Sequence, residues 1–422
     1  MMKLMEILNE FRNEIKKITF GFTAMSEDYL IKILIFLPKL EEIEIDVSLS
    51  TTSKFSGQRL CELRNVKSFT CKAELAKLIS ELPPDTLAKV SFVSSLHDVP
   101  PTTETLRKIF EQQRNLVDLN FNPKNVDFES LKVLHLAKLR IASVTNVIPI
   151  LKHQRKLIAL SVQNELVTAE FLEVCKLLNL ERLEINLRNI NANIYKSLND
   201  LAQLQDLTIT LATTAQLLAF DDINLKKLES LKISSTHLKC DPNVENFEVN
   251  FPELTTLKLS RVTTSAILYL LENKKLQSLT IEQGVQSHEN ASFPPNNNNL
   301  IELVVNSFEG NSKFFIKFVL LPLKRLEKLQ LGTNTSNDLE SLNSVLANHK
   351  RLESLIIKNQ KHSIEIDNFF IKTLREYGKS LRHFELGDIK NADKILEKLQ
   401  GSFEAQFELI YVESKKIFLK NL

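Results

Sequence analysis

The chain has 422 residues, more than the roughly 250–300 at which one compact core stops growing, so it needs either several domains or an elongated array. Its 54 basic and 52 acidic side chains leave a formal charge of +2 and are interleaved, which gives no electrostatic basis for a nucleic-acid partner or an anionic membrane. Four cysteines (Cys61, Cys71, Cys175 and Cys240) share no metal-ligand or disulfide-framework spacing, so reduced thiols in a cytoplasmic or nuclear setting are expected.

The first seventeen residues, MMKLMEILNEFRNEIKK, carry charges every few positions and lack the apolar run of a signal peptide. At Ile15 a template begins: Leu-x-x-Leu-x-Leu, with Ile, Val or Phe allowed. Its first copy covers 15–20; others start at Leu40, Val66, Leu87 and Leu116, with a weaker copy, LKVLHL, at Leu131. From Leu157 the template returns at Leu180, Leu204, Leu228, Leu254, Leu276, Leu300, Leu326, Leu352 and Leu381, in steps of 22 to 29 residues. FELIYV from Phe407 reads as a degraded unit. The expectation is therefore one array over 1–422 of about 15–16 units, capped by 407–422.

Each copy carries a short strand signal. In LERLEI, Leu183 and Ile185 lie two apart and share one side of an extended chain, while Arg182, Glu184 and Asn186 point the other way. Helical periodicity follows in VTAEFLEVCKLLN (167–179), in TTSAILYLLENKK from Thr263, and in NDLESLNSVLANHKR from Asn337. The last opens like a capping box, with Glu340 three residues after Asn337. Polar, proline-broken stretches near Ser50, near Ser94 and over Gly284–Leu300 read as exposed loops, and FFIKFVLLPL from Phe314 is too short and too interrupted to span a bilayer.

A strand and a helix in about two dozen residues cannot bury their apolar sides alone; stacked copies can. The expected fold is α/β: a curved solenoid, or horseshoe, with a concave parallel sheet and convex helices. The recurring leucines form its spine, each worth roughly 1.5–3 kcal/mol when buried.

This pattern resembles the leucine-rich repeat family, in the helix-containing subclass, over nearly the whole chain. The family's unit continues to an Asn or Cys three residues past the last leucine. Asn334 fits, but Arg188, Ala212, Thr236, Val262 and Gly284 stand there in other units. The strand units are similar to the repeat portion of F-box/leucine-rich repeat proteins, which implies a substrate-recognition subunit of a cullin-type ubiquitin ligase with a Skp-type adaptor and a cullin as partners. The Leu-Pro pair in IFLPKLEEIEI runs straight into a strand and the chain has no tryptophan, so no F-box is recognised. The alternative resemblance is to stand-alone regulators such as the ribonuclease-inhibitor or GTPase-activator branch.

No phosphate-cradling glycine loop, His-Glu-x-x-His pair or Gly-x-Ser-x-Gly elbow occurs, so no catalytic residue, metal site or cofactor is expected. Glu42, Glu44 and Asp46 alternate along one strand as a solvated acidic rim, and His383 and Glu385 share a face without a nucleophile beside them. The candidate partner-binding residues lie on the inward face of the central strands: Arg182, Glu184, Thr208, Lys232, Lys258 and Thr280. Parallel strands are about 4.8 Å apart, which makes Lys232 and Lys258 neighbours, with Glu184 and Asp206 near enough to offset part of their charge. A non-catalytic protein-interaction scaffold is the expected function, with a protein partner and an otherwise monomeric chain.

Overall fold

A computed structural model describes residues 2–21, 26–46, 57–93, 101–121, 128–142, 147–187, 192–211, 222–235, 247–286, 299–309, 315–333, 337–359, 372–373, 376, 380–387, 407–413 and 416–421. Two compact units divide the chain, Met1–Asn186 and Leu187–Leu422.

In the first unit, β1 (Lys17–Gly21), β2 (Glu42–Asp46), β3 (Ser68–Lys72), β4 (Lys89–Val93), β5 (Asp118–Phe121), β6 (Lys138–Ile141), β7 (Ala159–Leu166) and β8 (Arg182–Leu187) pair in chain order, all parallel. Their register stacks one template position directly on the next: Ile43, Phe69, Val90, Leu119, Leu139, Leu160 and Leu183 form a single buried column. Alternation along the strand does the sorting, since successive side chains leave a pleated backbone on opposite faces. In β8 the odd-numbered Leu183, Ile185 and Leu187 are buried, while Arg182, Glu184 and Asn186 reach the open face.

Helices and short helical turns cover the apolar face. Thr102 caps the helix Thr103–Gln112 by accepting from the Thr105 N–H at 3.2 Å, and Thr168 does the same for Ala169–Cys175 through Phe171. Phe110, from the first of these helices, meets Phe121 of β5 edge-on at 6.2 Å between ring centroids. The expected helix at 167–179 is thus present but shorter, starting after its threonine cap.

One template copy sits elsewhere than the sequence suggests. Residues 128–133, which include the start of LKVLHL, form a 3-10 turn, and the strand of that repeat is Lys138–Ile141. The true copy is LAKLRI from Leu136, with Leu136, Leu139 and Ile141 all buried.

The second unit repeats the scheme with β9 (Asp206–Leu211), β10 (Ser230–Ser235), β11 (Thr256–Thr263), β12 (Ser278–Gln286), β13 (Glu302–Val305), β15 (Lys328–Thr333), β16 (Ser354–Asn359) and β17 (His383–Leu386), parallel and in order. A two-residue strand, β14 (Phe308–Glu309), pairs with the far end of β12. The helix after Thr263 is Thr264–Leu270, capped by that threonine, and the helix from Asn337 runs to Asn348; the side chains of Asn337 and Glu340 lie outside those described.

Residues 407–422 depart from the repeat. They form β18 (Phe407–Glu413) and β19 (Lys416–Asn421), an antiparallel hairpin whose second strand runs antiparallel to β17. The degraded cap expected over 407–422 thus carries a hairpin in place of a strand–helix unit. The fold class is nonetheless the one the template implies: an open α/β leucine-rich repeat array with a parallel sheet.

Gly284 was expected in a loop but lies in β12. Between Leu259↔Ile281 and Arg261↔Gly284 the register shifts, so β12 carries one extra residue there. The bulge needs glycine: Gly284 has φ +145°, and a Cβ would come 2.6 Å from Ser307 Oγ. Residues 287–298 of the expected loop, like those near Ser50 and Ser94, are outside the described residues.

A second polar device joins the repeats. Gln113, Gln154, Asn273 and His349 each stand three residues before a template leucine, and each is almost wholly buried. Gln113 accepts from the N–H of Thr86 (3.1 Å) and Leu87 (3.0 Å) and donates to the Pro83 carbonyl at 2.8 Å. Gln154 accepts from Leu136 N–H and donates to the Leu131 carbonyl, both at 3.0 Å, while Asn273 donates to Phe251 O at 3.2 Å. Each carboxamide ties one repeat to the one before it by satisfying backbone groups that are otherwise stranded in the core.

His349 occupies this role with different chemistry. Its Nδ1 lies 2.8 Å from Val345 O and its Nε2 3.0 Å from Leu320 O. A neutral imidazole has one N–H, so it can donate to only one of these carbonyls. Burial holds its pKa below the ordinary 6.5, against the pull of the two carbonyls and with help from the nearby Lys324 charge. Because the folded value is the lower one, the unfolded chain takes up the proton first. Stability is full above about pH 6.5 and falls as the pH drops below it, by at most about 1.4 kcal/mol per pH unit. Melting curves from pH 7.5 to 5 should show this slope, and His349→Gln should flatten it; an equal slope in both proteins would remove His349 as its source.

Candidate functional site

The open face of the second unit carries the side chains that alternate with the buried leucines. Register places Thr208 beside Lys232, Lys232 beside Lys258 and Lys258 beside Thr280, so four of the six expected residues form one continuous row. Two adjacent ammonium groups on neighbouring strands repel unless a counter-charge is near. The counter-charge is Glu282: its Oε1 lies 2.8 Å from Lys258 Nζ and 3.9 Å from Lys232 Nζ. Glu282 stands at the β12 bulge, and the extra residue there aims its carboxylate across two strands.

Asp206, expected with Glu184 to offset these lysines, makes no ion pair with either of them among the described residues. In the first unit Glu184 accepts from Ser161 Oγ at 2.6 Å and lies 3.9 Å from Arg140. Asp206 stands opposite Ser230 and has no ion pair within 4 Å among the described residues. Arg182, also in the first unit, is exposed beside Ala159.

Beyond Thr280 the row runs on through Val304, Gln330 and Ile356, half-buried residues outside the six candidates, of which the sequence places only Gln330 on the inner face. Gln330 donates to Asn306 Oδ1 at 2.7 Å, which fixes its amide between two aliphatic neighbours. The face is therefore cationic at one end and mildly apolar at the other. Extending the +4 position of the template by three more units would have found it.

The other constellations are structural. Lys17 lies 3.4 Å from Glu42, Thr19 donates to Glu44 at 3.3 Å, and Lys72 lies 3.7 Å from Asp46, so the acidic strand has a partner for each carboxylate. His383 and Glu385 are 4.0 Å apart on β17. Burial pushes the Cys175 thiol up to about 12 and raises Cys71 as well, which keeps both thiols protonated and unreactive. Cys240 and Asn334 are outside the described residues. Among the described residues no cluster of three His, Cys, Asp or Glu could hold a metal, and no helix is long and apolar enough to cross a membrane.

No protein-family model and no curated protein matches the sequence. Solved structures do. The chain is 17% identical to the TLR13 chain of a TLR13–ssRNA13 complex, covering 89% of this chain and 53% of that one, with a TM-score of 0.41. Against a Toll–Spätzle complex from Drosophila the values are 12%, 92%, 53% and 0.45, and against an internalin from Listeria monocytogenes 14%, 88%, 81% and 0.34. The chain thus spans about half the length of two of these proteins. The assignment of the fold rests on strand register and burial in this chain.

Proposed function

We propose that this chain is a non-catalytic protein-binding module that grips an acidic segment of its partner along the open face of the second unit. The observation that carries this reading is the pair Lys232 and Lys258, held side by side on adjacent strands with one carboxylate between them. Thr208 and Thr280 flank the pair with hydroxyls, and Val304 and Ile356 offer apolar contact further along. Arg182 and Glu184 are the corresponding contact residues proposed for the first unit.

Affinity capture of the tagged protein beside Lys232→Glu/Lys258→Glu tests this. Reversing both charges in a contact with acidic groups should weaken binding about 100-fold, or ~2.7 kcal/mol. A partner recovered equally by both proteins would sink the reading.

Two finer readings follow. A stand-alone regulator needs nothing beyond this face. A substrate receptor of a cullin-type ligase also needs a segment that binds a Skp-type adaptor. The Leu37–Pro38 pair that suggested one lies in the turn between the helix Glu27–Phe36 and β2, where the Pro38 carbonyl accepts from Asn65 Nδ2 at 2.9 Å. The stand-alone reading is therefore preferred, and recovery of adaptor and cullin in the same capture would reverse that preference.

A further inference from the structure

The second unit has another concave feature, away from the lysine row. The residues immediately before successive template leucines line up along one edge of the sheet: Glu253, Lys275, Asn299, Arg325 and Arg351. Along that edge Lys275 Nζ meets Glu253 at 2.6 Å, and Arg325 donates to Asn299 Oδ1 at 2.6 Å, whose own Nδ2 donates to the Lys274 carbonyl at 2.6 Å. The pairing then stops. Arg351 has no ion pair within 4 Å among the described residues, and neither has Lys274. Glu353, two residues after Arg351, pairs with Arg382 at 3.7 Å. Lys274, Lys275, Arg325 and Arg351 line a single cavity of about 490 Å³, with Glu327 the one carboxylate in its wall.

From this we infer that the edge cavity binds a phosphoryl group, with Arg325 and Arg351 as its main ligands and Lys274 and Lys275 as supporting charges. Guanidinium groups present planar forks of N–H donors that match phosphate oxygens two at a time. Arg325 spends one donor on Asn299, which orients it and leaves the others free. Four cations against two carboxylates, Glu327 in the wall and Glu253 on Lys275, leave an excess of two positive charges, which suits a ligand carrying nearly two negative charges and three acceptor oxygens on one centre; a phosphoryl group supplies these and a single carboxylate does not. The volume admits the phosphoryl group together with part of whatever carries it. The source is either a free phosphate compound or a phosphorylated side chain of a protein, and both present the same chemistry to these residues.

The test uses the whole chain at low ionic strength and two probes, inorganic pyrophosphate and a neutral-sequence peptide with one phosphoserine, followed by calorimetry. Wild-type protein should bind at least one probe, and the unphosphorylated peptide should not bind. Arg325→Gln/Arg351→Gln should weaken binding at least tenfold with melting unchanged, because both side chains are exposed. Lys232→Glu/Lys258→Glu should leave it unaffected, which separates this cavity from the lysine row. Binding should also fade below pH 6 as the phosphoryl group gains a proton. Pyrophosphate binding alone assigns a free ligand; phosphopeptide binding assigns a modified partner. No binding of either probe, or equal binding by the double arginine variant, overturns the inference.

Discussion

Leu183→Asp should unfold the first unit or leave it open to protease at room temperature. Leu183 is 2% exposed and sits in the column that runs from β2 to β8, directly beside Leu160. Losing the leucine forfeits about 2 kcal/mol of burial, and a carboxyl group without a partner costs roughly 2–7 kcal/mol more. Together these rival the whole stability of a typical domain, about 5–15 kcal/mol. In a stack each repeat is held by its neighbours, so the damage should centre on β7 and β8. Arg182→Asp, one residue away on the open face, should change melting by under about 0.5 kcal/mol. Limited proteolysis with mapping of the first cuts, beside thermal melting, reads both. Wild-type behaviour of Leu183→Asp would mean that the register given above is wrong.

The second large effect concerns two adjacent glutamines. Gln113→Leu strands the buried N–H of Leu87 and the part-buried N–H of Thr86 and carbonyl of Pro83; a fully buried orphan costs about 1–3 kcal/mol and a part-buried one less. Part of that is offset by the apolar replacement, so a net loss of about 3–5 kcal/mol is expected in chemical denaturation. Gln112→Leu should do the opposite. Its Oε1 is buried with no hydrogen-bond partner among the described residues, so removing it should leave stability unchanged or slightly raised. Equal losses from the two substitutions would show that the Gln113 amide contributes no more than its volume.

The spine was plain in the sequence because a leucine column needs apolar residues at fixed spacing, and few alternatives satisfy it. Leu131 misled because LKVLHL satisfies the spacing too; only the steps of 20 and 21 residues from Leu116 to Leu136 to Leu157 favour the later copy. The amides at Gln113, Gln154 and Asn273 were illegible for another reason. A polar residue near the end of a helix reads as surface until neighbouring backbone is known to need it. The lysine pair was legible from strand alternation and repeat step together. Glu282 was not, since the bulge that aims it depends on Gly284 and its φ of +145°, a local backbone event without periodicity.

The terminal hairpin has a consequence for self-association. A stack of parallel strands has no inherent last member, because each strand presents to the next the same row of N–H and C=O groups that its predecessor presented to it. Left bare, β17 would be a template for another chain. Instead β19 occupies that side and runs the other way, and β18 pairs on β19 in turn. The row of groups that β17 would offer to a further repeat is therefore taken within the chain, and β18, which runs in the direction of the repeat strands again, forms the outer edge of the hairpin. The hairpin thus shields the edge of β17 itself from pairing with another chain.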